Sequence, residues 1–332
     1  MKIIRHIILI IFFHNLIINF TLANDFDEWL VSFKKNALNE GISAKTINLV
    51  LKDVVFLEKV IEYDRYQPEF YEDTKTYVEK RSSNLKLKQG IKLYKKNSTL
   101  IDKVSDKYNL EKELLLALMG IETNYGNYLG KMDILSSLAT LSYDKRRSEF
   151  FTKELIILLK LIDKNIVDYK TLYGSWAGAF GNFQFMPSTI KNYAIDFDQN
   201  NNINLKSVDD SFASAANYLN KLGWKKNQPC FYKVELNHNI PKKYLNYSAK
   251  KIKHINKYKK IKKYIKNSND FKIYDNELVA IITPDKEIVN NSNIYEPAFL
   301  IFSNYNLILK WNRSLRFALA VCTLKNKFKN EL

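Results

Sequence analysis

The chain has 332 residues, 46% of them hydrophobic, which is enough for a substantial core and for one or two domains. Only four histidines occur, and two of them lie in the apolar N-terminal stretch, so a Ser-His-Asp triad, a Cys-His pair or a histidine zinc site is poorly supported. The net charge of +17 favours a polyanionic environment such as a cell envelope or nucleic acid, unless it reflects only the general abundance of Lys, Asn and Ile.

Residues 1–23 have the pattern of a secretory signal. Lys2 and Arg5 form a basic start, residues 7–13 form an apolar centre, and small residues precede a cleavage site at Asn24. The alternative is an uncleaved segment that anchors the chain in the inner membrane. Because no cysteine follows the signal, a lipoprotein is not expected, and no later segment is long enough to span a membrane.

Residues 24–110 are predicted to be helical. Apolar residues between 47 and 61 recur at steps of three and four, which is the period of one helix face. Ser43 is predicted to be the N-cap of this helix, and Asn109 the N-cap of a central helix that follows.

The central helix is predicted in LLLALMGIETNYG, residues 114–126, and it carries Glu122. Leu115, Leu118 and Met119 precede Glu122 by seven, four and three positions, so they lie on the same side of the helix as this carboxylate. At the edge of a buried face the charged form is disfavoured, and the raised pKa that we expect suits a general acid near neutral pH. The alternative is a helix-terminal glutamate that merely follows a core stripe.

Six of the nine glycines fall between residues 120 and 181, where they indicate unusual dihedral angles or close approach to a ligand. Within this region, residues 133–165 are predicted to form two helices, with Arg146 and Arg147 near their junction. These arginines either lie in a solvated turn or bind substrate carboxylates in a bidentate manner.

The next segment, GSWAGAFGNFQFMPS, covers residues 174–188 and is apolar and aromatic. It also carries three glycines and the polar side chains of Ser175, Asn182 and Gln184. Amide groups in a core need buried partners, so a lined pocket is the better interpretation than plain core.

Oxygen-bearing side chains alternate along DFDQNNN, and two aspartates follow shortly after. Asp196, Asp198 and Asn200 occupy positions one, three and five of a loop, as a hard cation such as Ca²⁺ requires. Asn201 stands at the sixth position, where glycine normally makes the turn, but asparagine tolerates left-handed dihedral angles. The alternative is a solvated loop in an Asn-rich protein.

After a further helix predicted at 211–223, the character of the sequence changes. Four strand-like segments surround a lysine-dense stretch at 242–266; the strand-like segments are 231–236, 271–274, 278–283 and 298–302. Apolar residues in the lysine-dense stretch step at three or four, which predicts an amphipathic basic helix for contact with anionic envelope polymers, a membrane surface or nucleic acid. The alternative is a solvated face.

The chain ends in an apolar helix predicted at 314–328. Cys230 and Cys322 are the two cysteines, and in an exported protein they could pair. Two cysteines far apart in sequence do not establish the bond by themselves.

Three motifs occur in a fixed order: GIETNYG, YGSWAGAFGNFQFMPSTIKNYAIDFD and WNRSLRFALAV. Together with DRYQPEF and ILSSLATLSYDKRRSEFF, they resemble the lytic murein transglycosylase B (MltB) family over most of residues 25–225 and again at 296–325. The resemblance implies a mainly α (α+β) fold, with a lysozyme-like helical core, an extra N-terminal helical region and a small inserted antiparallel β-subdomain. The predicted boundaries are 1–23 for the signal peptide, 24–110 for the N-terminal helical region, 111–227 for the catalytic core with its calcium loop, 228–302 for the β-subdomain with its Lys-rich insertion, and 303–332 for the segment that completes the core.

The resemblance also implies roles for single residues. Glu122 matches the family's catalytic acid/base, and Ser175 and Gln184 match residues that hydrogen-bond the sugar. Asn312 matches a substrate-positioning asparagine, beside Trp311 where a tyrosine is usual. Arg146 and Arg147 match a pair that meets the stem peptide. The implied metal ligands are Asp196, Asp198, Asn200, Asn202 and Asp210.

The implied reaction is cleavage of the MurNAc–GlcNAc bond of peptidoglycan with formation of 1,6-anhydro-muramoyl ends. Ordinary glycosidases use two carboxylates, whereas Asp133 and Glu149 have no setting comparable to that of Glu122. One carboxylate is enough when the muramoyl C6 hydroxyl is the nucleophile. The alternatives are a hydrolytic muramidase, a non-catalytic peptidoglycan-binding envelope protein, and a secreted nucleic-acid binder.

No cofactor is expected for the chemistry, and the only metal expected is a structural Ca²⁺. The expected partners are the glycan strands and stem peptides of peptidoglycan, with no nucleic acid. We expect a periplasmic monomer.

Overall fold

A computed structural model describes residues 25–66, 72–287 and 296–332, so the predicted signal at 1–23 lies outside the described residues. The described chain is mainly helical with two small sheets, which confirms the predicted α+β class. The helices are α1 (25–39), α2 (Ala44–Val50), α3 (Glu58–Arg65), α4 (Thr74–Arg81), α5 (Asn84–Tyr108), α6 (Lys112–Thr123), α7 (Ile134–Tyr143), α8 (Ser148–Asp163), α9 (Pro187–Tyr193), α10 (Val208–Leu222), α11 (Tyr258–Ile261), α12 (Ser303–Trp311) and α13 (Leu315–Lys329).

The strands form a two-stranded sheet and a five-stranded sheet. The strands are β1 (Met132–Asp133), β2 (Tyr173–Gly174), β3 (Phe231–Val234), β4 (Leu245–Asn246), β5 (Asn256–Lys257), β6 (Leu278–Ile282) and β7 (Ala298–Ile301). β1 pairs with β2, and the larger sheet has the order β3-β7-β6-β4, with β5 paired to β6. These pairs are antiparallel except for β4 and β6, which are parallel.

The chain divides into two compact units. Among the described residues, the first unit comprises 25–66, 129–192 and 200–204, and the second comprises 72–128, 193–199, 205–287 and 296–332. These two compact units do not test the five boundaries predicted from the sequence, which remain predictions.

The first unit is built on α7 and α8. Every residue from Ile134 to Ser142 is buried, and α8 packs along this helix. The Ser43 hydroxyl accepts a hydrogen bond of 3.2 Å from the Thr46 amide, which confirms the predicted N-cap. The Ser43 side chain also donates to Asp163 at the end of α8, so the cap joins two helices. The prediction of one helix face from 47 to 61 is wrong, because α2 ends at Val50 and a separate helix, α3, begins at Glu58.

The second unit is built on α6, in which every residue from Leu114 to Gly120 is buried. Such a helix has no polar face and must be enclosed by other elements. Helix α13 encloses one side of it, and the residues of α13 from Leu315 to Cys322 are themselves all buried.

The prediction that Asn109 caps the central helix is wrong. Asn109 instead ends α5 in a left-handed conformation, with φ of 52°, and Glu111 immediately precedes α6. Only three residues join the two helices, and asparagine makes the turn because it tolerates this conformation.

Glu111 is buried and its charge is neutralised within the protein. Lys325 of α13 lies 2.7 Å from Glu111 Oε1, and the Trp224 indole donates to Oε2 at 2.7 Å. Burial by itself would raise the pKa of Glu111, but the Lys325 ammonium and these hydrogen bonds outweigh it and lower the pKa. The pair therefore stabilises the fold above the ordinary pKa of a glutamate, and this contribution is lost as the pH falls through the lowered value.

The structure corrects two predictions in the β-subdomain. Residues 271–274, predicted as strand-like, belong to the 3₁₀ segment Ser268–Tyr274. The stretch 242–266 is not one basic helix, since it contains two short strands and the single turn α11. Its apolar residues Tyr258, Ile261 and Ile265 pack into the core of the larger sheet, and these long-range contacts override the local helical period.

Cys230 and Cys322 are joined by a disulfide, with their Cα atoms 6.1 Å apart. The bond links the residue before β3 to the middle of α13. Within the described ranges, no helix combines the length and the apolar character needed to cross a lipid bilayer.

The buried ion pair predicts a specific pattern of stability. Lys325→Met should lower the free energy of unfolding by roughly 3–5 kcal/mol, because it leaves the Glu111 charge buried and uncompensated. The double variant Glu111→Gln/Lys325→Met should recover much of the loss, since it removes both charges. Urea unfolding at pH 7 measures this, and a double variant that is no more stable than Lys325→Met would contradict the explanation.

Candidate active site

Glu122 is the penultimate residue of α6 and is half-buried. The buried helix before it fixes the backbone, and the indole of Trp311 fixes the carboxylate. Trp311 Nε1 donates a hydrogen bond of 2.9 Å to Glu122 Oε1. Trp311 is itself the last residue of α12, so the ends of two helices meet at this carboxylate.

The chain turns sharply directly after α6. Asn124, Tyr125 and Gly126 have φ of 51°, 60° and 81°, so three successive residues are left-handed. Asparagine tolerates this conformation, whereas Tyr125 disfavours it by roughly 1–2 kcal/mol. The Thr123 hydroxyl stabilises the turn by accepting a hydrogen bond of 3.1 Å from the Gly126 amide. Non-glycine residues in a left-handed conformation cluster at functional sites, and this turn lies directly beside the Glu122 carboxylate.

The Tyr125 side chain folds back onto α6 at Gly120. A Cβ atom at Gly120 would lie 2.4 Å from the Tyr125 hydroxyl oxygen, so only glycine allows this approach. Lys86 of α5 donates to the Gly120 carbonyl at 2.6 Å and to the Asn124 side chain at 3.0 Å. The Lys86 ammonium therefore satisfies the C-terminal end of α6, where a positive charge is favourable, although burial lowers the pKa of this lysine.

Three aromatic rings extend from Glu122. Trp311 stacks on Tyr218 of α10 with 5.2 Å between ring centroids, and Tyr218 stacks on Tyr193 of α9 at 4.4 Å. Burial, followed by the neighbouring Tyr193, raises the pKa of Tyr218 to about 12, so its hydroxyl remains protonated at neutral pH. The stack holds the indole in the orientation that donates to Glu122.

Ser175 and Gln184 lie in the first unit. The Ser175 hydroxyl accepts from the Ala179 amide at 3.0 Å, and Gln184 donates to the carbonyls of Gly181 and Leu129 at 3.0 and 3.2 Å. Gln184 has a left-handed φ of 50° at the end of a tight loop that is closed by paired backbone hydrogen bonds between Phe180 and Phe185.

The phenylalanines of this segment are core residues. Phe180, Phe183 and Phe185 are all buried, as is Asn182. The segment thus contains buried rings as well as the half-buried polar side chains of Ser175 and Gln184.

Arg146 and Arg147 are held by Asp64 of α3, also in the first unit. Arg146 Nε donates to the Asp64 carboxylate at 2.7 Å, and Arg147 and Arg65 pair with the same carboxylate. Burial would raise the pKa of Asp64, but the hydrogen bonds and charges of Arg146 and Arg147 outweigh it and lower the pKa. The side chains of Arg146 and Arg147 remain 44% and 38% exposed, so they are still accessible to an external carboxylate.

Three carboxylates converge in the aspartate-rich segment of the second unit. Oxygens of Asp196, Asp198 and Asp210 lie within 4.8 Å of one another, and Asp210 is fully buried at the start of α10. The Phe197 amide donates to Asp210 at 2.8 Å and fixes the loop on the helix. Such a donor set of hard oxygens fits a cation like Ca²⁺. Asn201 has φ of 65°, which confirms that asparagine adopts the left-handed turn expected of the loop's sixth position.

The other two carboxylates considered from the sequence have structural surroundings. Asp133 accepts from the Ser136 amide at 2.7 Å and caps α7. Glu149 has a side chain 85% exposed and paired with Lys153. Neither resembles the half-buried setting of Glu122.

The structure brings Glu122 and Trp311 into contact and groups Asp196 and Asp198 with Asp210. It also identifies two residues that the sequence reasoning missed, Tyr218 and Asp64. Tyr218 carries no recognisable signal in its helix, whereas Asp64 opens DRYQPEF, one of the motifs that carry the family resemblance.

The comparisons with known proteins agree with one another, since each finds similarity to transglycosylases. The model of the family described as transglycosylase SLT domain matches residues 25–326. Membrane-bound lytic murein transglycosylase B of Escherichia coli K12 is 37% identical over 141 residues, which cover 42% of this chain and 39% of the relative. The match thus spans about two fifths of that relative's length.

Two solved structures have similar folds. SltB3 of Pseudomonas aeruginosa, in complex with NAG-NAM-pentapeptide, is 32% identical with a TM-score of 0.79, and the match covers 92% of this chain and 79% of that one. The Escherichia coli lytic transglycosylase Slt35, in complex with calcium, is 23% identical with a TM-score of 0.74, and the match covers 91% and 93%. The lytic-transglycosylase fold expected from the resemblance is therefore confirmed.

Proposed function

The chain belongs to the transglycosylase SLT domain family, and on that premise we propose that it is a lytic murein transglycosylase. Its substrate is peptidoglycan, and the bond that it cleaves is the β-1,4 bond from MurNAc to GlcNAc. The observation that carries the proposal is the half-buried carboxylate of Glu122, at the end of a buried helix and oriented by the Trp311 indole.

Glu122 acts first as a general acid. The Trp311 indole can only donate, so Oε1 accepts from it; since a carbonyl oxygen is the better acceptor, we assign the proton of the neutral acid to Oε2. From there it protonates the glycosidic oxygen as the bond to the muramoyl C1 breaks.

Glu122 then acts as a base. Its carboxylate takes the proton of the muramoyl C6 hydroxyl, which attacks C1 and closes the 1,6-anhydro ring. Because nucleophile and electrophile belong to one sugar, a well-oriented attack has an effective molarity of about 10⁵ M or more. A second carboxylate to activate water is then unnecessary.

Substrate binding is assigned to polar and aromatic side chains. We infer that Ser175 and Gln184 hydrogen-bond the muramoyl sugar, and that Asn312 and Trp311 position it. Arg146 and Arg147 bind a carboxylate of the stem peptide. The partly exposed guanidinium groups on the buried Asp64 support this last role, since they are held in place yet accessible.

We also propose that Asp196, Asp198 and Asp210 bind a structural Ca²⁺ together with Asn200 and Asn202. Three carboxylates within 4.8 Å repel one another, and a cation relieves this repulsion at the buried Asp210. The ion contributes to stability and takes no part in the reaction. The proposed location is the periplasm, where murein lies.

The first test concerns the acid/base. Glu122→Gln should lower the rate of sacculus solubilisation by roughly 10²–10⁴-fold, because the amide cannot donate or accept the proton in transit. Glu113→Gln, on the same helix, is the matched control and should retain activity. Turnover close to the parental rate in Glu122→Gln, with sacculus binding intact, would remove the assignment.

The second test separates the transglycosylase from a hydrolytic muramidase. Digestion of sacculi in ¹⁸O-water should release unlabelled muropeptides that end in anhydro-muramic acid, because the nucleophile is the C6 hydroxyl. A muramidase would instead give reducing ends that carry the label and are heavier by one water. Mass spectrometry distinguishes them, and mainly labelled products would overturn the proposed mechanism.

The third test concerns the metal. Added Ca²⁺ should raise the melting temperature, and a free Ca²⁺ concentration of 100 times Kd corresponds to about 2.7 kcal/mol of stabilisation. Asp198→Asn should reduce the shift, whereas Asp209→Asn, one residue before Asp210, should not. If neither millimolar Ca²⁺ nor chelation changes the melting temperature, the segment is a solvated loop.

A further inference from the structure

The positive charge of the chain is concentrated in one segment. Between Glu235 and Asp270 the sequence contains eleven lysines, no arginine and no carboxylate. These 34 residues contribute +11 of the net charge of +17 and leave only +6 to the other 298 residues. A general bias in residue usage would distribute the lysines evenly, so it does not explain this concentration.

Among the residues that the structure describes, most of these lysines have no acidic partner. Lys262 pairs with Asp275 at 3.0 Å and Lys266 approaches Glu235 at 3.9 Å. The other nine are exposed and have no carboxylate within 4.0 Å among the residues that the structure describes; they are Lys242, Lys243, Lys250, Lys251, Lys253, Lys257, Lys259, Lys260 and Lys263.

The fold holds the lysines outward. Tyr258, Ile261 and Ile265 insert into the core of the larger sheet, so the lysines between them point to solvent. The loop before them is closed by the buried Asn246, whose side chain accepts from the Lys253 amide at 2.7 Å and donates to its carbonyl at 3.1 Å. The segment is therefore an anchored surface.

Apolar side chains are exposed among the lysines. Tyr247 and Ile255 are each 46% exposed, and Leu278 is 55% exposed directly opposite Lys257 in the pairing of β5 with β6. If the lysines only faced solvent, exposed apolar side chains among them would have no stabilising contact. At a membrane surface, by contrast, lysines meet the headgroups and apolar or aromatic side chains enter the interface.

We propose that this surface, the nine lysines with Tyr247, Ile255 and Leu278, docks on a bilayer that contains anionic phospholipid. Lysines without arginine are less suited to the bidentate phosphate contacts of nucleic-acid recognition. The exposed apolar side chains, which a purely polyanionic partner would leave in water, favour lipid. The surface would hold the protein at the membrane independently of the proposed catalytic activity.

The test is flotation of the mature protein with vesicles. It should bind vesicles of phosphatidylglycerol and phosphatidylcholine, should not bind phosphatidylcholine alone, and should be released by salt. A lysine near an anionic membrane contributes roughly a factor of five in affinity, so the triple variant of Lys250, Lys251 and Lys253 to Gln should bind on the order of 100-fold more weakly. The matched control changes Lys92, Lys95 and Lys96 to Gln; these are exposed lysines of α5, and their loss alters the net charge equally.

Two further measurements make the proposal falsifiable. Tyr247→Ser/Ile255→Ser should weaken vesicle binding without changing any binding to duplex DNA, and a melting temperature close to the parental value shows that each variant is folded. Equal losses in the two triple variants would mean non-specific charge attraction. Absence of vesicle binding, or DNA binding that is tighter and insensitive to the serine changes, would likewise overturn the membrane proposal.

Discussion

The enclosure of α6 is the constraint on which the rest of the second unit depends. A helix without a polar face leaves water, and the polar groups at both of its ends must then find partners inside the protein. At the C-terminal end Lys86 donates to the Gly120 carbonyl, and beside the N-terminal end Lys325 neutralises the buried Glu111 carboxylate. Because Glu122 is the penultimate residue, the interactions that satisfy this end also set the position of the carboxylate.

In the first unit, a buried charge also fixes the position of side chains that we propose to be functional. Asp64 is almost fully buried and is therefore costly unless paired, and the pairing fixes the two arginines proposed to meet the stem peptide. The proposed ligand groups are thus oriented by structural side chains that do not themselves contact substrate. The Tyr218 ring has an equivalent role beneath Trp311 in the second unit.

The second unit contains two sites of different character, the surroundings of Glu122 and the lysine-rich segment. The environment of Glu122 is aromatic and half-buried, which strengthens electrostatic interactions relative to water and suits proton transfer. The lysine-rich segment of the β-subdomain is solvated and carries unpaired charge, which suits association with a polyanionic surface. Its apolar residues serve the sheet core while its lysines face outward, so one segment supplies both stability and charge.

The sequence by itself determined the features that depend only on residues close to one another within one helix or loop. The helical period, the Ser43 cap, the apolar setting of Glu122 and the left-handed turn at Asn201 all follow from local spacing and residue type. The ordered motifs were specific enough to indicate the family and its fold.

Only the tertiary structure decided contacts between distant residues. The pairing of Glu122 with Trp311, 189 positions later, and that of Cys230 with Cys322 have no local signal. The same cause explains the errors: pairing with β6 makes Leu245–Asn246 and Asn256–Lys257 strands, so only the turn Tyr258–Ile261 of the predicted basic helix is helical. Periodicity reports which residues share a face, whereas the partner of that face is selected by packing of the whole chain, which no local pattern encodes.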